Sequence, residues 1–402
     1  MLNEIESDYA TISNYYIYGN HLNIYGCVNN VDNVDDANLV LKSLDNEISY
    51  DINYSVDDSV LNFHVSNFIN DGIYLDNIPV EDYFMFLKIS DGDSYKYYSL
   101  KNDTNYNDIN YYTITRNGSN NLININFSKN NNTDYMLFSV NNYNDNNYYD
   151  VVIDAGHGGV DPGASYSSYN EADITLDYAI SLKKSLEELG LKVKLTRTDD
   201  VYIDSYGYGS RTSIPYEVKA KYVFSIHLNS CEDINYGGVE IYSPSGANLE
   251  FSSSLASNIV KSAKTTYSKN ESFKISNGVY VRTFTKSDIK ESVNSAKKKG
   301  YNPYPITTDT VYYFMIRETG GIVTNAYVDG RNKDYSKNGY YDSNIGVESY
   351  LLELGYINYK KDLNNLLLNK EGYIKGITNA IKEEIGIWKN MVLFYHILLC
   401  FC

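Results

Sequence analysis

Across 402 residues the sequence has only four cysteines, Cys27, Cys231, Cys400 and Cys402. Their spacing offers neither a disulfide framework nor a CxxC metal pair, so Cys27 and Cys231 read as free thiols in separate domains. Net positive charge is also missing: 34 basic against 51 acidic residues leave a formal charge of −17. Phosphate recognition needs a cationic surface, so nucleic acid is excluded as a partner. Electrostatic adhesion to anionic membranes or wall polymers is disfavoured for the same reason. No His-Glu-x-x-His is present, which counts against ordinary zincin peptidases. The opening residues Met1 to Asp8 have no basic start and no apolar core, so no cleavable signal peptide is read there. The last twelve residues, Met391 to Cys402, are apolar except for His396. They are too short to span a bilayer, and read either as an interfacial segment or as an aberrant end.

What is abundant is tyrosine, 44 times, with much Asn, Ile, Asp and Lys. This reads as the codon bias of an AT-rich genome, so no single tyrosine is counted as a sugar-stacking site. A hydrophobic fraction of 43% supports packed cores, and the length exceeds one ordinary domain. Residues 1–140 carry short apolar or alternating runs, such as Leu61–Val65, Tyr83–Ile89, Leu122–Phe127 and Tyr135–Val140. Asn, Asp, Gly and Ser clusters separate them, and the pattern predicts an all-β, sandwich-like accessory domain. It is either a wall- or glycan-binding module, or a spacer or partner-docking module. Residues 141–148 read as a polar linker, residues 149–387 as an α/β domain, and residues 388–402 as an apolar tail of no assigned role. Within the α/β part, Ile174–Leu189, Leu249–Tyr267 and Tyr373–Ile385 have helical period. Val151–Ile153, Val193–Leu195, Tyr222–Ile226, Val311–Ile316 and Val347–Leu354 read as strands.

The densest chemical signal is Val151-Val-Ile-Asp-Ala-Gly-His157-Gly-Gly-Val-Asp-Pro-Gly163. An apolar strand runs into a glycine-rich loop that holds one histidine, at the strand end where open α/β sheets place ligands. Alone, His157 is better explained as a turn residue or a satisfied hydrogen-bond donor than as a ligand. Its companions change that balance. Glu171 stands where a helix begins, a place the helix dipole also favours for any carboxylate. His227 follows the strand Tyr222–Ile226, where a satisfied core histidine is the plain alternative. Glu353 ends the apolar run Tyr350-Leu351-Leu352, and a carboxylate there is costly unless paired or near a metal. Two histidines and a glutamate, with a second carboxylate free as base, form a familiar catalytic zinc set.

The four segments Asp154-Ala-Gly-His157-Gly-Gly, Glu171, Ser225-Ile-His227-Leu-Asn-Ser and Glu353-Leu-Gly-Tyr-Ile together resemble the landmarks of the zinc-dependent N-acetylmuramoyl-L-alanine amidases of the type-3 family. The resemblance covers about residues 149–387. It implies a mixed sheet with helices on both faces, and one zinc held by His157, Glu171 and His227. It also implies that Glu353 is the catalytic general base, and that peptidoglycan, glycan strand plus stem peptide, is the substrate. Wall turnover, cell separation or lysis would be the process served, at the cell envelope or outside the cell. Asp154 either orients His157 or braces its turn. One departure stands out: Arg317-Glu318-Thr319 is separated from Glu353 by Gly320–Asn344, which either lines the substrate groove or is decoration. Phe273–Thr308 is uninterpreted apart from Lys297-Lys298-Lys299, read as a solvated basic face, and no role is placed on Arg211. The rival readings are a zinc peptidase acting within stem peptides and a non-catalytic peptidoglycan-binding protein.

Overall fold

The structure, a computed structural model, describes residues 9–66, 72–105, 108–116, 119–130, 133–143, 148–233, 235–244, 249–300, 303, 306–320 and 345–386. The chain divides into two compact units, residues 1–146 with 343–346, and residues 147–342 with 347–402.

The first unit is built from β1 (Tyr9–Tyr18), β2 (His21–Asn29), β3 (Asp36–Lys42), β4 (Glu47–Asp51), β5 (Asn53–Asp57), β6 (Val60–Val65), β7 (Ile73–Tyr74), β8 (Asp82–Asp91), β9 (Ser94–Asn102), β10 (Ile109–Tyr112), β11 (Asn120–Asn130) and β12 (Thr133–Tyr143). Alternation sets their faces, because successive side chains of a strand point to opposite sides. In β6, Leu61, Phe63 and Val65 are buried while Val60, Asn62 and His64 are not. The ladder runs β10-β11-β12-β8-β9-β1-β2-β6-β5, and β3 with β4 branches off β8. Strands from both ends of this branched sheet feed one core, with Ile24, Phe63, Leu87, Ile123 and Phe138 among its members. The all-β, sandwich-like expectation is met. β12 runs on to Tyr143 because Asn141, Asn142 and Tyr143 pair with Leu122, Asn121 and Asn120 of β11. The start of the stretch read as a linker is therefore strand, and residues 144–147 of it lie outside the described residues.

The second unit holds a seven-stranded mixed sheet of β13 (Val151–Ala155), β16 (Val193–Leu195), β17 (Tyr222–Asn229), β18 (Glu240–Tyr242), β19 (Lys274–Ser276), β20 (Val279–Tyr280) and β22 (Glu348–Tyr356), in the order β16-β13-β17-β22-β18-β20-β19. A hairpin of β14 (Ser165–Tyr166) and β15 (Tyr169–Asn170) precedes the first helix. β21 (Ile345–Gly346) belongs to the first unit, where it pairs with β1. The helices are α1 (Glu171–Glu187), α2 (Ile214–Glu217), α3 (Leu249–Ala263), α4 (Lys286–Lys298), α5 (Phe314–Thr319), α6 (Lys360–Leu368) and α7 (Lys370–Glu384). Both faces of the sheet are covered. Val223 packs with Ile214 of α2 and Met315 of α5, whereas its neighbours Tyr222 and Phe224 meet Phe251 of α3 from the other side. The mixed sheet with helices on both faces is thus as expected.

One expected strand is absent. Residues 311–316 give an isolated bridge between Val311 and Thr283 and then enter α5. β18 already occupies the edge of β22, so the apolar run has no ladder to join. Arg317 instead donates to the carbonyls of Val311 and Tyr312, at 3.0 and 2.7 Å. Lys297, Lys298 and Lys299 are exposed at the end of α4, as expected of a solvated basic face. Cys27 and Cys231 are free thiols. No helix among the described residues is long and apolar enough to cross a membrane, and residues 387–402 and 321–344 lie outside the description.

Candidate metal centre

The parallel ladder β13-β17-β22 puts the ends of three core strands side by side. Asp154 is in register with Ser225, and His227 with Glu353. β17 and β22 each extend beyond the apolar runs, so His227 and Glu353 sit inside strands rather than after them. Beyond β13 the chain turns sharply: His157 takes φ 62° and Gly163 φ 66°. Side chains at Gly156 or Gly163 would not fit. A Cβ on Gly156 would lie 2.5 Å from the His227 ring, and one on Gly163 2.6 Å from His157 and 2.7 Å from the Glu171 carboxylate. The glycines of the loop are what let two imidazoles and a carboxylate crowd together.

Glu171 is the first residue of α1 and is buried. Its Oε1 lies 3.1 Å from His157 Nε2 and 3.0 Å from His227 Nδ1. Oε1 also accepts the Leu228 amide at 2.9 Å, and Oε2 accepts the Ala164 amide at 2.9 Å. The ligating atoms of the three residues all fall within 4.8 Å of one another. Bonds of about 2.0 Å in a tetrahedral zinc site put ligand atoms roughly 3.3 Å apart, close to the 3.1 and 3.0 Å between Glu171 Oε1 and the two imidazole nitrogens, so the donor set fits such an ion. Burial works against ionised Glu171, but the two imidazoles outweigh it and hold the carboxyl well below its usual range. For His157, burial opposes the charged ring, while Glu171 and Asp161 push its pKa above the ordinary value.

Asp161 settles one open alternative. Its Oδ2 lies 2.9 Å from His157 Nδ1, which is how a carboxylate orients a metal-binding imidazole. Asp154 braces the strand end instead. It accepts from Thr196, Ser225 and Arg211 at 2.7, 2.7 and 2.6 Å. Burial opposes its charge, yet Arg211 holds its pKa below the usual value. Arg211 also donates to the carbonyls of Ala155 and His157, and Arg197 to those of Ala155, Gly156 and Ala172. Arg197 thus ties the glycine loop to α1, and Arg211 ties it to the end of β13. Neither had been given a role from sequence; both lie outside the four motifs.

Glu353 is buried and its Oε2 has no hydrogen-bond partner. Burial, then the nearby carboxylates of Glu171 and Glu240, push its pKa well above the ordinary range. Glu240 is its register partner on β18, and sequence reasoning missed it. Its carboxylate accepts from Ser268 at 2.6 Å, Tyr242 at 2.7 Å, Asn229 at 3.2 Å and also Tyr356. The signal was available: Glu240 sits between Val239 and Ile241, the same costly placement that exposed Glu353. Arg317-Glu318-Thr319 is structural. Arg317 pairs with Glu318 at 2.8 Å and reaches the Tyr206 hydroxyl at 3.1 Å, and Thr319 meets Ser349 of β22.

Three donors, Glu171 buried and the two histidines half-buried, lie at the strand ends of an α/β sheet with Glu353 in register beside His227, an arrangement that could hold a metal ion and support metal-assisted hydrolysis. Residues 151–294 match the family model described as N-acetylmuramoyl-L-alanine amidase, which bears out the resemblance read from the motifs for this region. The match contains His157, Glu171 and His227 and ends before Glu353. Over 96 residues the chain is 38% identical to the probable cell wall amidase LytH of Staphylococcus aureus, covering 23% of this chain and 30% of that protein. The chain therefore spans about 30% of the length of the curated relatives it matches. Among solved structures it is similar to the catalytic domain of the amidase CwlV from Bacillus (Paenibacillus) polymyxa, at 21% identity and a TM-score of 0.40 over 59% of this chain and 98% of that one. A Clostridium difficile 630 N-acetylmuramoyl-L-alanine amidase gives 20% identity and 0.40 over 60% of this chain and 98% of that one.

Proposed function

We propose that the second unit is a zinc-dependent N-acetylmuramoyl-L-alanine amidase, cleaving the amide between the lactyl group of muramic acid and L-alanine in peptidoglycan. The observation that supports this best is the convergence of His157 and His227 on one carboxylate oxygen of Glu171, with Glu353 in register beside His227. His157, Glu171 and His227 would hold the ion. Bound zinc supplies a Lewis acid that polarises water and offsets negative charge on the attacked carbonyl.

The remaining work falls to protein groups. Glu353 takes the proton of the attacking water and returns it to the departing nitrogen of L-alanine. A carboxylate whose pKa is raised by burial holds a transferred proton better than an ordinary one, which suits a group that both accepts and returns it. Asp161 keeps the His157 ring turned toward the site, and Asp154 with Arg211 keeps the loop from relaxing. The site of action is the cell envelope or the space outside it, because that is where peptidoglycan lies.

Replacing Glu353 with Gln tests this. Hydrolysis of purified peptidoglycan is expected to fall by about 10²–10⁴-fold, the usual worth of a positioned acid–base, while metal content stays at one ion per chain. Unchanged hydrolysis contradicts the role of Glu353. A folded, metal-loaded wild-type protein that cuts no peptidoglycan favours the wall-binding reading instead.

A further inference from the structure

On the sheet face that carries Glu353 lies a cavity of about 320 Å³, lined by Asn229, Tyr236, Tyr242, Asn270, Arg282 and Tyr313, among others. Its position follows from register. Asn229 stands two residues past His227 on β17 and donates to Glu240, and Tyr242 stands two past Glu240 on β18, so both share the face that carries Glu353. The Tyr242 ring lies 4.6 Å from that of Tyr313. Arg282 is the cation of this wall, its guanidinium carbon 3.6 Å over the Tyr312 ring and 5.7 Å from that of Tyr313.

Arg282 forms no ion pair among the described residues, and its Nε is buried without a hydrogen-bond partner. The nearby acids are engaged in their own turns. Asp233 accepts from Asn235, and Asp288 closes the cap of α4 with Thr285. A guanidinium held by stacking and by a bond to Tyr313, with no carboxylate paired to it among the described residues, is a carboxylate receptor with one half missing.

Resting on the amidase reading, we propose that this cavity is the subsite for the leaving peptide, and that Arg282 binds the free carboxylate of its second residue, a D-isoglutamate. Charge decides between the two halves of the substrate. The lactyl carboxyl of the glycan is consumed in the scissile amide, so the negative groups near the bond belong to the peptide. Arg282 is accordingly a specificity residue: it separates peptides with a free acid at position two from those in which that acid is an amide.

The test uses the full chain, loaded with zinc, and two synthetic muropeptides that differ only in D-isoglutamate against D-isoglutamine. Wild type is expected to favour the acid by about tenfold or more in kcat/KM, mostly through KM. Arg282→Gln is expected to collapse the ratio toward one, and Arg282→Lys to restore part of it. Equal wild-type rates on the two substrates, or a ratio that survives Arg282→Gln, overturn the subsite. If wild type cuts neither substrate at the muramoyl–alanine bond, the amidase reading fails on its own. Calorimetry with the L-alanyl-D-isoglutamate dipeptide then scores the subsite separately: binding lost in Arg282→Gln supports it, and equal or absent binding in both proteins overturns it.

Discussion

The two units bury different kinds of residue. Among the described residues, the buried set of the first unit contains no Asp, Glu, Lys or Arg; its polar members are Asn, Ser and Thr. The second unit buries Asp150, Asp154, Glu171, Arg197, Arg211, Lys221, Glu240, Arg317, Glu318, Glu348, Glu353 and Asp362. Burying a charge is costly unless it is paired and hydrogen-bonded, so a core with that many ionic groups is organised for something other than stability. Half of them pair with one another: Asp154 with Arg211, Asp150 with Lys221, Glu318 with Arg317. Glu171 is matched only by imidazoles, and Glu353 keeps one oxygen without a partner. Glu348, at the other end of β22, also keeps a buried oxygen without a partner, so what sets the proposed site apart is such an oxygen beside the His157, Glu171 and His227 cluster.

That contrast can be broken by mutation. Asp154→Ala strands Arg211 in the interior and is expected to destabilise the second unit by about 3–5 kcal/mol. Leu39→Ala in the core of the first unit is expected to cost about 2–5 kcal/mol through its cavity. The two losses differ in their response to pH. The folded pKa of Asp154 is depressed, so its contribution is present above the ordinary carboxylate pKa and is lost as pH falls through the folded value. In calorimetric melts the Asp154→Ala deficit should shrink on acidification while the Leu39→Ala deficit stays level. Parallel pH profiles for the two variants would remove the distinction.

Glu348 sharpens the comparison from the other side. Burial first, then Glu384, push its pKa up to about 8. A raised carboxyl pKa gives stability that is complete below the ordinary value and declines as pH rises toward the folded one. Glu348→Gln should therefore match wild type near pH 4 and melt higher than wild type at pH 8 and above. A variant less stable at every pH would mean that the bond from Tyr350 to this carboxylate outweighs the burial of its charge.

Much of this was legible in the sequence because glycine and misplaced polarity are local signals. The glycines around His157 and the carboxylate in Tyr350-Leu-Leu-Glu353 mark themselves, and alternation in segments such as Leu61–Val65 gives the faces of the first unit. What stayed hidden depends on contacts between distant segments. Arg211 meets Asp154 across 57 positions, and Glu240 gathers Ser268 and Tyr356 from two other elements. Val311–Ile316 misled because its β-branched and aromatic residues suit a strand, whereas the sheet edge they would need is filled by β18. Asp161 was the near miss, four residues from His157 in the very loop that drew notice.

The most direct measurement is mass spectrometry of the products from one defined muropeptide, digested by the zinc-loaded chain with and without a chelator. The expected result is a saccharide whose N-acetylmuramic acid carries a free lactyl carboxyl, and a peptide with an N-terminal L-alanine, formed only without the chelator and restored by added zinc. New termini inside the peptide, or digestion that continues undiminished in the chelator, would contradict a metal-dependent muramoyl–alanine amidase built on His157, Glu171 and His227.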